Sequence, residues 1–180
     1  MKRFLGFAMM LAVALALAPS AGAKDLSIKA FYGTYSGSGI ANSKDSLYFG
    51  ITMRDIDVTI RPQGRGFRVH WTTVLRQGGT PSNPKVRRKS SAIDFLPTSN
   101  PHRFMSVART DPLSPNGLAW ARLKDRTLTV YVLVIRDNGK YTLQSYARTI
   151  SGSGMDLKFT RIKDGDATRA VTGKLIKQSN

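Results

Sequence analysis

From Ile56 onward, apolar side chains recur at every second position in short runs, and clusters of turn-forming residues interrupt these runs about every 12 residues. Ile56, Val58 and Ile60 alternate with Asp57, Thr59 and Arg61. After the turn residues Pro62 to Gly66, Phe67, Val69, Trp71 and Thr73 alternate with Arg68, His70 and Thr72. A period of two puts alternate side chains on opposite faces of an extended strand, so each run has one buried face. The same rhythm continues over Leu118–Leu123, Thr127–Ile135, Lys140–Ile150, Met155–Ile162 and Ala167–Ile176. Asn138-Gly139 and Asp164-Gly165 supply hairpin turns. In Thr127–Ile135 both faces are apolar, which predicts a central or covered strand. The expected fold is all-β: an antiparallel up-and-down meander closing into a barrel, with a β-sandwich as the alternative.

Two compositional facts sharpen this. All 11 acidic residues are Asp, so the strong helix former Glu is missing while a turn former is plentiful. The chain has no cysteine, so neither disulfides nor thiol chemistry can contribute. Glycines inside the first run, Gly33, Gly37 and Gly39, mark bending or close backbone approach. Arg76 to Lys85 reads as a loop, Asn42 to Asp45 as a linker and Lys177 to Asn180 as a frayed tail.

The N-terminus reads as an export signal. Lys2 and Arg3 precede the apolar run Phe4–Ala18, and Ala21-Gly22-Ala23 forms a small-residue cleavage site. Residues 1–23 are therefore expected to be removed, leaving 24–180 as one domain in the periplasm or secreted. The apolar run falls short of the roughly 20 residues of a spanning helix. Loss of Lys2 and Arg3 takes the formal net charge from +17 to +15. Outside the cytoplasm such charge meets lipid head groups, wall polymers or anionic glycans rather than nucleic acid. A membrane-spanning barrel is disfavoured, because charges such as Arg61, Arg68, Arg122, Lys158 and Lys174 fall within strands. Arg148, Arg161 and Arg169 are assigned to the same outward faces.

The meander, its length and the opening Gly33-Thr34-Tyr35 resemble the calycins, the lipocalin-like ligand-binding barrels. In lipocalins a Gly-x-Trp on the first strand stacks under a basic residue from the last strands. Here Tyr35 replaces Trp, and Arg161 or Arg169 is expected over its ring. The resemblance implies an interior cavity for a small apolar or amphipathic molecule.

Catalytic motifs are absent. Neither Ser36-Gly37-Ser38-Gly39 nor Ser151-Gly152-Ser153-Gly154 has the spacing of a nucleophile elbow, and no glycine-rich phosphate loop occurs. His70 and His102 are isolated, and Asp55 and Asp57 are expected to pair with arginines. No catalytic residue, metal site or cofactor is expected. Two binding surfaces are. The pocket candidates are Tyr35, Phe67, Trp71, Trp120 and Tyr131, for a small amphipathic or anionic ligand. The polyanion candidates are Lys85, Arg87, Arg88 and Lys89, for an anionic envelope component. An enzyme with a site assembled only in the fold is the third possibility. The sequence leaves the oligomeric state open.

Overall fold

The computed structural model describes residues 25–43, 51–80 and 83–180. The expected signal, residues 1–23, lies outside them. A 3-10 turn, Ile28–Phe31, leads into ten strands: β1 Gly33–Ser43, β2 Ile51–Gln63, β3 Gly66–Thr80, β4 Asn83–Pro97, β5 Arg103–Thr110, β6 Leu118–Lys124, β7 Thr127–Ile135, β8 Tyr141–Ser151, β9 Gly154–Lys163 and β10 Asp166–Ser179. Each strand pairs antiparallel with its neighbours in sequence, and β1 closes against β10. The result is a closed meander barrel, which decides between the barrel and the sandwich. Closure removes most of the sheet edge and lets the alternating pattern bury one face of the strands around a common core.

Turn chemistry sets the hairpins. Asp164 and Gly165 both adopt positive φ (49° and 91°), the conformation of the tight turn joining β9 to β10. Strand glycines allow close packing. A Cβ on Gly37 would lie 2.1 Å from the Lys174 carbonyl oxygen, and one on Gly66 would lie 1.7 Å from that of Phe95. The expectation for Gly37 thus has a concrete cause, the approach of β10.

One end of the barrel is plugged. Phe31, Tyr35, Phe67, Phe95, Leu128 and Met155 are all fully buried there or just above it. Phe67 stacks on Phe95 at 5.2 Å and meets Phe104 edge-on at 4.9 Å. The Tyr35 hydroxyl donates to the Phe31 carbonyl at 3.0 Å and ties the 3-10 turn beneath the barrel.

Several expectations are corrected. The predicted loop Arg76–Lys85 is largely strand: β3 runs to Thr80 and β4 starts at Asn83, making a long hairpin. Most of the predicted tail is strand too, because Lys177 pairs with Tyr35 and Ser179 with Thr34. The cation over Tyr35 is Lys177, whose Nζ stands 5.9 Å from the ring centre, rather than Arg161 or Arg169. Finally, β4 and β5 pair only at Phe95, Leu96 and Pro97, against Ser106, Met105 and Phe104. Above that point the two strands have no pairing with each other, so the barrel is split on one side.

Candidate functional site: an arginine-lined open end

The inward face of each strand can be followed upward from the plug by counting twos. On β8 it reads Ile150, Arg148, Tyr146, Gln144. On β9 it reads Met155, Leu157, Phe159, Arg161, and on β10 Leu175, Gly173, Val171, Arg169. Cross-strand pairs confirm the common face: Arg161 opposes both Gln144 and Arg169, and Arg169 opposes Ser43, which is buried. On β2 the face of Ile60, Val58 and Ile56 continues to Arg54. Arg148, Arg161 and Arg169 therefore point into the barrel, correcting their assignment to outward faces. The outward charges Arg61, Arg68, Arg122, Lys158 and Lys174 do alternate with buried neighbours.

The lowest of these arginines is the most unusual. Arg148 is 1% exposed, the largest fully buried side chain in the described protein. Its guanidinium lies 5.6 Å from the Trp71 ring centre and 5.7 Å from that of Tyr146. The two rings are 4.9 Å apart, and Phe159 follows 4.7 Å beyond Tyr146. One nitrogen of Arg148 donates weakly to the Tyr146 carbonyl at 3.4 Å, while its Nε is sealed from solvent with no hydrogen-bond partner. No carboxylate of the described residues pairs with it. Burial pushes its pKa down to about 10. The Tyr146 hydroxyl, raised mainly by burial, stays neutral and donates to Gln144 Oε1 at 2.6 Å.

Above this layer the charge continues with one sign among the described residues. Arg54 is half-buried, and its Nε likewise lacks a partner. Its pKa is lowered first by burial and then by the like charges of Arg169, Arg161 and Arg87. The Nε of Arg169 donates to the Ser43 hydroxyl at 3.3 Å, and that of Arg161 to the Thr168 hydroxyl at 3.1 Å. Arg109 on β5 is near enough to act on Tyr146.

The sequence-derived candidates fall in different places. Tyr35 and Phe67 lie in the apolar plug, and Trp71 contacts Arg148. Trp120 and Tyr131 stack on each other at 4.9 Å on the outer face, since their neighbours Ala119, Ala121, Val130 and Val132 take the interior. Lys85, Arg87 and Lys89 share the β4 face that continues inward as Ile93 and Phe95, and Arg88 is on the other face. All four are exposed along the long hairpin. The site residues not foreseen are Arg54, Arg109, Arg148, Arg161 and Arg169. Their signal was parity: Arg161 is two residues from Phe159, and Arg148 is two from Tyr146.

Among the described residues other chemistry finds no assembled site. His102 Nδ1 lies 3.4 Å from an Asp25 carboxylate oxygen, and His70 is exposed on a different strand. Asp55 pairs with Arg76, and Arg68 grips Asp94 through two hydrogen bonds of 2.5 and 2.6 Å. No group of three or more metal-ligating side chains occurs among the described residues. Two hollows open outside the barrel. One, of about 590 Å³, runs over β1, β2 and β8 to β10; the other, of about 440 Å³, lies under the 3-10 turn. Neither touches Trp71, Tyr146, Arg148 or the upper arginines.

No family profile and no curated protein matches this chain. Among solved structures, an S-type phycobiliprotein lyase from Guillardia theta superposes with a TM-score of 0.37 at 11% identity. The match covers 86% of this chain and 94% of that one. A likeness that loose says nothing about function.

Proposed function

We propose that this protein works outside the cytoplasm as a non-catalytic binder of a small anionic, amphipathic molecule. The acid group would be received among the arginines of the open barrel end, and the apolar body would rest on Trp71 and Tyr146. The observation that carries this reading is Arg148: a charge sealed from water, without a counter-ion among the described residues, with an unpartnered Nε. Desolvating an ion costs several kcal/mol. Two aromatic faces return about 0.5–2 kcal/mol each. The balance favours an anion that completes the site. Arg54 above it, whose Nε also has no hydrogen-bond partner, extends the same demand for negative charge toward solvent. The upper arginines are also long and flexible enough to swing aside and make room, so no preformed void is required. The likeness of the sequence pattern to calycins, which hold small molecules inside their barrels, points the same way. The signal-like residues 1–23 support delivery to the periplasm or exterior.

The test uses the anionic fluorophore anilinonaphthalene sulfonate and the neutral dye Nile red. In a Trp120→Phe variant, Trp71 is the remaining indole of the two in the sequence. Saturable quenching of Trp71 by the anionic dye is expected, at least tenfold tighter than by the neutral one, and lost in Arg148→Met. Equal affinity for both dyes, or no change on removing Arg148, would reject the reading.

A further inference from the structure

The outer rim of the open end is uneven in a way that the interior site does not require. Six large apolar side chains are each more than half exposed: Ile176, beside Ser36 near the plugged end, and Ile40, Met53, Val86, Val107 and Leu113. The last five lie on the side of the open half built by β1, β2, β4, β5 and the segment after β5. Ile40 and Met53 are cross-strand partners on the outer face of β1 and β2. Val86 stands on the long hairpin, in the middle of Lys85, Arg87, Arg88 and Lys89. The opposite arc, formed by the β7–β8 and β9–β10 turns, mixes signs: Arg136, Asp137 and Lys140, then Lys163, Asp164 and Asp166. It carries none of the exposed large apolar side chains recorded.

We infer that the β1–β5 arc of the rim docks on an anionic lipid bilayer, with the basic hairpin against the head groups and Ile40, Met53, Val86, Val107 and Leu113 reaching among them. Exposed apolar side chains rimmed by one sign of charge mark surfaces that meet a partner. Charge complementarity selects the partner here. The four basic residues of β4 face no acidic residue on their own strand between Lys85 and Ser91, and Asp55 on β2 is already engaged by Arg76. A bilayer also suits the geometry of β4. Above Phe95 it lacks a β5 partner, past Arg87 it continues with β3 alone as a two-stranded arm, and it is exposed on both faces from Lys85 to Ser90. Such an arm can lie along a surface, and its lysines and arginines also keep the open edge from pairing with another sheet. Each basic side chain near an anionic leaflet contributes about fivefold in affinity. This docking does not depend on whether the interior holds a ligand.

The experiment is co-sedimentation of the exported protein, its N-terminus read by mass spectrometry, with vesicles. One set is phosphatidylcholine alone, and the other is phosphatidylcholine mixed with phosphatidylglycerol. Binding to the mixed vesicles only, weakening with salt, is expected. Two charge-matched double variants locate it: Arg87→Ser/Arg88→Ser should bind roughly 25-fold more weakly, whereas Arg136→Ser/Lys140→Ser should stay within about twofold of the parent. Ile40→Ser/Met53→Ser, checked for an unchanged circular dichroism spectrum, should lose binding to vesicles with no loss to soluble heparin. Equal losses in the two charge variants would mean that net charge alone attracts the protein, and would overturn the proposal. So would binding to heparin as tight as to vesicles and indifferent to the apolar variant, which would indicate a soluble polyanion.

Discussion

A guanidinium with no counter-ion among the described residues, enclosed by Trp71, Tyr146 and the barrel wall, is costly to keep. A pKa of about 10 for Arg148, well below the ordinary guanidinium value, corresponds to about 3 kcal/mol of unrepaid burial at about 1.4 kcal/mol per unit. Replacing it by Met keeps most of the volume and removes the charge. Arg148→Met is therefore expected to stabilise the fold by about 1–3 kcal/mol, raising the midpoint of thermal unfolding by several degrees. A lower midpoint would show that the ring contacts already repay the burial. The same residue sets a pH dependence of known sign. Below about pH 10 the group is charged in both folded and unfolded chains, and the cost is present in full. Between there and the ordinary guanidinium value the folded protein releases the proton first, so the contribution of this group to stability rises with pH. The stability gap between the parent and Arg148→Met should therefore shrink above pH 10 in denaturant titrations. Binding of an anion should weaken over the same range, because an anion holds the proton on.

At the level of elements, alternation made the strands easy to find and their faces easy to misread. On β9, Met155, Leu157 and Phe159 identify the inner face, and Arg161 is the next residue on it. A reading that sends every charge outward breaks that parity, whereas the register keeps it, since a strand cannot turn one side chain around without a bulge. Trp120 and Tyr131 are the converse case: large apolar residues on an outer face because Ala119 and Ala121 are the ones that fit the interior. The Arg76–Lys85 segment looked like a loop from its Gly, Pro, Ser and Asn content, yet β3 and β4 pair across much of it. Local composition was overruled by a partner strand. Glycine at the β2–β3 hairpin has a firmer role. Gly66→Ala would drive a methyl into the Phe95 carbonyl oxygen and should cost at least about 2 kcal/mol, seen as a lower denaturant midpoint. Gly139→Ala, with open space around it, serves as the comparison and should cost only what its φ of 77° imposes on a side chain.

Over the whole molecule the barrel divides into an apolar plug, which supplies stability, and an open half rich in like charges, which opposes it. Amide exchange should follow that division. Amides of Leu157 and Phe159, on a strand flanked on both sides, are expected to exchange slowly. Those on the free side of β4 between Val86 and Ala92 should exchange orders of magnitude faster. Uniform protection along β4 would mean that the split between β4 and β5 closes in solution. The sequence by itself determined the all-β class and most of the hairpin turns, because strand period and turn chemistry are local properties, written within a few neighbouring residues. It could not determine that Arg54, Arg148, Arg161 and Arg169 converge, or that β4 parts from β5. Those depend on which strands lie opposite each other once the sheet has curled shut, and that is a relation among residues far apart in the chain.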